Sequence, residues 1–129
     1  MIRDKSVYDP PAPEDGHRVL VMRIVRDPAI HELPYDTWIK SLSPSLDTLN
    51  RWWAKEITTP EMYAEFRETI SEHGLRRLRK LEQEHGTVTI LCRERRPHAC
   101  HRYELKRIYL ERYPDAAEPK AQRHPKPKK

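Results

Sequence analysis

The chain has 129 residues, 36% hydrophobic and 35% charged, which suits one domain with a small core and leaves little room for a second. No apolar run approaches the roughly 20 residues of a membrane helix, and residues 1–16 are polar and rich in Asp and Pro rather than leader-like, so a soluble, cytoplasmic protein with no membrane contact is expected. The net charge of +5 is unevenly spread: residues 1–86 carry 13 basic and 15 acidic groups, residues 87–113 carry 7 and 3, and residues 114–129 carry 5 and 2, a distribution that favours an anionic partner near the C-terminal third.

Taken in order, IRDKSVY (residues 2–8) suits a short strand, and DPPAPEDG after it marks a turn. HRVLVMRIV (17–25) is a nearly continuous, β-branched apolar run, the pattern of a strand buried on both faces. RDPAIHELPYD (26–36) reads as a loop, and TWIKSL as a short helix or an extended connector. SPSLDTLNRWWAKEI reads as a helix capped by Ser43, with Pro44 in its first turn. Leu46, Leu49 and Trp53 share one face, which Trp52 widens. TTPEMYAEFRETISEHG begins a second helix, with Thr59 as cap and Pro60 leading, and Met62, Phe66 and Ile70 recurring every four residues. Gly74 either ends this helix or admits a close neighbour. Leu75, Leu78 and Leu81 carry the apolar face on to Gly86, a C-terminal stop. TVTILC (87–92) is the second firm strand, RERRPHA the loop leaving it, and CHRYELKRIYLERY a final amphipathic helix with Leu105, Ile108, Tyr109 and Tyr113 inward. From Pro114 the composition predicts a disordered basic tail, giving a domain over 1–113 and a tail over 114–129. The whole predicts a small, single-domain layered α/β fold with a short, mainly parallel sheet flanked by helices. Such sheets bind ligands beyond the carboxyl ends of their strands.

Both cysteines lie in ILCRERRPHACHR, residues 90–102. Cys92 is expected at the end of a strand, and Cys100, His101 and Arg102 at the first turn of the last helix, where unsatisfied N–H groups attract anions. A thiol there can have a lowered pKa, and the neighbouring imidazole can act as base or donor. Cys92, Cys100 and His101 are therefore the candidate catalytic residues. Three alternatives stand beside this reading. One is a reversible Cys92–Cys100 disulfide. Another is a zinc set of Cys92, His98, Cys100 and His101 that lacks paired Cys-x2-Cys spacing. The third is an inert buried Cys92 beneath a solvated arginine surface. The Cys-x5-Arg spacing of tyrosine phosphatases is absent, because His98 takes the arginine's place. The Cys-x2-Cys of thioredoxin-like motifs and any glycine-rich phosphate loop are absent too.

LCRERRPHACHR resembles the signature of the family catalogued as domain of unknown function 488 (DUF488), with Cys92, Glu94, Pro97, Cys100, His101 and Arg102 in matching order and spacing. KSVYDPPAPEDGHRVLVMRIVRDP resembles that family's opening, and WIKSLSPSLDTL its middle segment. The likeness runs from about residue 5 to 113 and implies an α/β fold and a shared site rather than a particular reaction. The chain departs from relatives of this subtype after the second strand. It keeps Arg23 but has Met22 in place of an acid and Val25 in place of Trp. Together the two lines place Arg23, Cys92, Glu94, Cys100, His101 and Arg102 around one pocket. Arg23 and Arg102 are the anion-binding groups and Glu94 orients Arg102 or His101. Arg26, Arg95 and Arg96 are read as surface field, and Trp38, Trp52 and Trp53 as core packing. The expected function is binding of an anionic small molecule, with thiol chemistry as its enzymatic form and no cofactor specified. The competing class is a nucleic-acid module using the arginine loop and tail, although no RNP-like aromatic motif or helix-turn-helix pattern accompanies them.

Overall fold

The computed structural model describes residues 1–95 and 98–119, so the Arg96 and Pro97 positions lie outside the described residues, as does the tail from Lys120 onward. Its strands are Ile2–Ser6 (β1), His17–Leu20 (β2), Thr37–Trp38 (β3) and Val88–Cys92 (β4). Its α-helices are Leu46–Trp53 (α1), Thr59–Thr69 (α2), Glu72–His85 (α3) and His101–Arg112 (α4). The strands pair in parallel in the order β1-β4-β2-β3, which is the small α/β layered fold expected from the sequence. No helix among the described residues is long and apolar enough to cross a membrane.

The central strand β4 is buried at every position, as its unbroken apolar run requires. Its side chains alternate between two cores. Val88 and Ile90 join Val19 and Ile2 beneath Phe66, Leu75, Leu78, Leu105, Ile108 and Tyr109, so α2, α3 and α4 cover that face. Leu91 joins Leu20, Val7 and Ile30 on the other face, which Met22, Val25, Leu33, Tyr35 and Trp38 close without an α-helix. A 3₁₀ turn over Pro28–Glu32, capped by Asp27, shapes this irregular cover.

The strand predicted over 17–25 stops at Leu20. Val21 still donates to Leu91 O at 3.0 Å. Its carbonyl, however, accepts from His101 Nε2 at 2.7 Å, and the Met22 carbonyl accepts from Trp38 Nε1 at 2.7 Å. Side chains thus take the acceptors that a continuing ladder would use. Gly16 turns the chain into β2 at φ 62°, and a Cβ there would lie 2.2 Å from Thr87 O, so only glycine fits.

Three helix starts differ from their sequence assignments. Ser45, not Ser43, caps α1, its hydroxyl accepting from Thr48 N at 3.1 Å. Thr58, not Thr59, caps α2, in a reciprocal box with Glu61. The long apolar stretch after it is two helices, broken at Ile70–Ser71, with Ser71 capping α3 through Gly74 N. Gly74 ends nothing. It sits in the first turn of α3, where a Cβ would lie 2.8 Å from Ser41 Oγ, so its second predicted role is the one the structure uses. TWIKSL contains β3 followed by a 3₁₀ turn over Lys40–Leu42. Ordered structure also runs past 113: Pro114–Ala116 form another 3₁₀ turn whose Ala116 is buried in the core.

Candidate functional site

At the carboxyl end of the sheet a cavity of about 240 Å³ opens between the loop after β2, the helix α1, the end of β4 and the start of α4. Its base holds Cys92, Cys100 and His101, all buried, with one Sγ or ring-nitrogen atom from each lying within 4.8 Å of the others. The three catalytic candidates therefore come together. Cys92 is there because β4 ends there, and Cys100 because it is the extended N-cap residue of α4. His101, the first residue of α4, is fixed from two sides. Its Nε2 meets Val21 O at 2.7 Å, and its ring stands edge-on to Phe66 with centroids 5.7 Å apart. A carbonyl only accepts, so Nε2 carries a proton, and Nδ1 is the ring nitrogen 3.9 Å from Cys100 Sγ.

The thiols are both free, and they differ in character. Hydrogen bonding with Cys100, together with burial, pushes the Cys92 thiol well above the ordinary value of 9.0. Burial opposes ionisation of Cys100 as well. There it is outweighed by hydrogen bonding with Cys92, the backbone N–H of Arg102 and the nearby Arg102 charge, so the Cys100 thiol lies below 9.0. Ionisation is therefore favoured at Cys100 over Cys92. Cys92 Sγ also lies 3.5 Å from Glu94 Oε1.

The anion-binding candidates separate. Arg23 lines the cavity, but from the loop beyond β2 rather than from the strand itself. Its Nε donates to Pro44 O at 3.1 Å and its Nη2 to Ser43 O at 2.7 Å. Arg102 does not line this cavity. It is 1% exposed, with Nε on Asp4 Oδ2 at 3.1 Å and Nη1 on the Glu94 carbonyl at 2.6 Å. Its guanidinium ties α4 to β1, and it reaches the site only as a nearby charge and through its backbone N–H. Glu94 borders the cavity, but its carboxylate faces Cys92 and Arg93, and only its carbonyl holds Arg102. His98 is exposed and outside the compact Cys92–Cys100–His101 group, so the four-ligand metal set is not assembled.

Several cavity residues were read otherwise from sequence. Trp52 and Trp53 line the wall instead of filling the core; Trp52 is anchored by its indole N–H on Thr59 Oγ1 at 3.0 Å, and Trp53 is exposed beneath the Arg26 guanidinium. Arg26 is therefore part of the cavity rim, whereas Arg95 stays on the surface, paired with Asp9 at 2.9 Å. Trp38 lies with the second core, as predicted. Ser43 was missed as a site residue. It contributes to the cavity wall, and its buried hydroxyl has no hydrogen-bond partner among the described residues. A serine just before proline resembles a helix cap, and that signal concealed it.

Comparison with known proteins finds a family match: the family model DUF488-N3a, described as the active DUF488-N3 subclade, matches residues 2–113. Neither the curated proteins nor the solved structures contain a match.

Proposed function

The chain belongs to the DUF488-N3a family, and from that premise we propose that it binds an anionic small molecule in the sheet-end cavity and acts on it through the Cys100 thiol. The observation that carries this reading is the convergence of two unlike thiols and an oriented imidazole at the base of a cavity walled by arginine and tryptophan. The description of the subclade as active is in keeping with it. The chemistry is nucleophilic. Cys100 gives its proton to His101 Nδ1, and the sulfur forms a bond to an electrophilic centre of the bound molecule. The bond to the leaving group breaks, and the leaving group takes the proton back from His101. Water, deprotonated by the same nitrogen, then releases the second product and restores the thiol. Cys92 S–H holds the Cys100 thiolate in place before attack.

Iodoacetamide alkylation followed residue by residue with mass spectrometry, between about pH 6 and 10, tests the proposal. The pH midpoint, not the absolute rate, reads ionisation, because burial slows both thiols. Cys100 is expected to titrate below 9.0 and Cys92 above it. A Cys100 midpoint at or above 9.0 overturns the nucleophile. So does a stoichiometric cobalt(II)–thiolate absorption band on adding cobalt, which would make the three groups metal ligands instead.

A further inference from the structure

Arg23, half-buried, differs in its surroundings from the buried arginines Arg18 and Arg102. Arg18 pairs with Asp15 at 2.6 Å and Arg102 with Asp4 at 3.1 Å, while Arg23 has no carboxylate partner among the described residues and is held by two backbone carbonyls. Those carbonyls occupy the side-on edge of the guanidinium, Nε with Nη2. The end-on pair, Nη1 with the second hydrogen of Nη2, has no partner among the described residues. That pair of parallel N–H groups matches the two oxygens of a carboxylate or phosphate. The residue whose carbonyl holds Nη2, Ser43, lines the same cavity, is 3% exposed, and its hydroxyl has no partner among the described residues. A buried hydroxyl with no bond is costly enough to need an explanation. An oxyanion at this point would answer both the unpaired cation and the orphaned hydroxyl.

The remaining wall is apolar: Met22, Ile30, Leu49 and the anchored ring of Trp52. The two carboxylates on the rim face other partners, Asp27 accepting from Ala29 N at 3.0 Å and Glu94 paired with Arg93 at 3.6 Å. At about 240 Å³ the cavity is smaller than the roughly 300–1,000 Å³ of sites for drug-sized ligands.

We infer that Arg23 and Ser43 form an oxyanion subsite, and that the substrate class is a small molecule carrying one carboxylate or phosphate group on a flat apolar body that lies against Trp52. This rests on the proposed function, since it names what the Cys100 site takes. The role given to Arg23 and Ser43 is recognition, and the reacting sulfur is separate from it.

The test is a fluorescence titration of the full chain, read through Trp52 and Trp53, with four probes: benzoate, phenyl phosphate, benzamide and inorganic phosphate. Saturable binding of benzoate or phenyl phosphate is expected, and whichever binds tighter identifies the anion. Benzamide is expected to bind at least about tenfold more weakly, the effect of losing a charge-assisted pair. Inorganic phosphate, with no apolar body, is expected to be weaker than phenyl phosphate. R23Q and R23K are both expected to lose about tenfold, because lysine restores the charge but not the fork. S43A is expected to lose about fivefold, and it removes only an unbonded hydroxyl, so its fold is not at risk. Equal binding of benzamide and benzoate overturns the inference, as does binding that R23K and S43A leave unchanged, or no saturation by either aromatic anion. Such a failure alongside a Cys100 midpoint below 9.0 removes the subsite and leaves the thiol; loss of the thiol midpoint with this binding intact does the reverse.

Discussion

At the scale of single residues, the neighbourhood of Cys100 decides what the site can do. Its sulfur ionises more readily than a free thiol because Cys92 donates to it and because α4 begins there, with the Arg102 N–H and charge close by. Removing the Cys92 donor while keeping the cavity open therefore raises the Cys100 midpoint. C92A is expected to shift the alkylation curve of Cys100 to higher pH. C92S, whose hydroxyl can still donate, is expected to shift it less. Identical midpoints in parent, C92A and C92S would show that the two sulfurs do not share a proton. The meeting of Cys92, Cys100 and His101 was readable in the sequence because each sits at a boundary between elements, and boundaries at the carboxyl end of parallel strands converge. The separate fate of Arg102 was not readable. A long side chain at the first turn of a helix can point toward the cavity or toward β1, and only Asp4, 98 residues away in sequence but adjacent in space, decides between them.

At the scale of elements, the entry to α1 links the fold to the site. Pro44 between two serines offers two possible caps, and the sequence rule favouring proline at the first helical position points to Ser43. The chain uses Ser45 because the carbonyls of Ser43 and Pro44 are drawn onto Arg23, which keeps both residues outside the helix. The serine released from capping is the one whose hydroxyl is left at the cavity. Chemical denaturation should separate these roles. S45A, which loses a cap, is expected to destabilise by about 1 kcal/mol, and S43A is expected to be neutral or slightly stabilising. A larger loss from S43A than from S45A would return the cap to Ser43. Loss of the strand reading beyond Leu20 has the same kind of cause. Apolar periodicity predicts what is buried, which Val21 is. It cannot predict that His101 and Trp38 will claim the carbonyls of Val21 and Met22 and so end the ladder.

At the scale of the whole molecule, many arginines of the described residues are paired across the fold rather than left as a free cationic face. Among the described residues, arginines from one element repeatedly meet carboxylates from another: Arg51 with Glu65, Arg67 with Glu104, Arg79 with Asp115, Arg112 with Glu72. Composition shows the charges but not their pairing, so the arginine-rich third of the sequence suggests an exposed field that the folded chain partly consumes. Asp15 and Glu82 are among the nearly inaccessible acids. Asp15 is held by Lys5 at 3.0 Å and Arg18 at 2.6 Å, and Glu82 by the Met1 amine at 2.6 Å and Arg79 at 3.0 Å, with Tyr109 donating as well. Burial alone would raise both carboxyls, but these partners prevail and hold Asp15 below 3.8 and Glu82 below 4.5. A carboxyl whose folded pKa is below its unfolded value contributes stability that is full above the unfolded value and is lost as pH falls through the folded one. The melting temperature is therefore expected to hold steady from neutrality down toward pH 4.5 and to fall at lower pH. E82Q is expected to melt lower than the parent at neutral pH, since it leaves Arg79 and the amine without their anion, and to lose less on acidification. Parallel acid profiles for E82Q and the parent would mean that Glu82 does not couple protonation to folding, and that the acid sensitivity belongs to the exposed pairs.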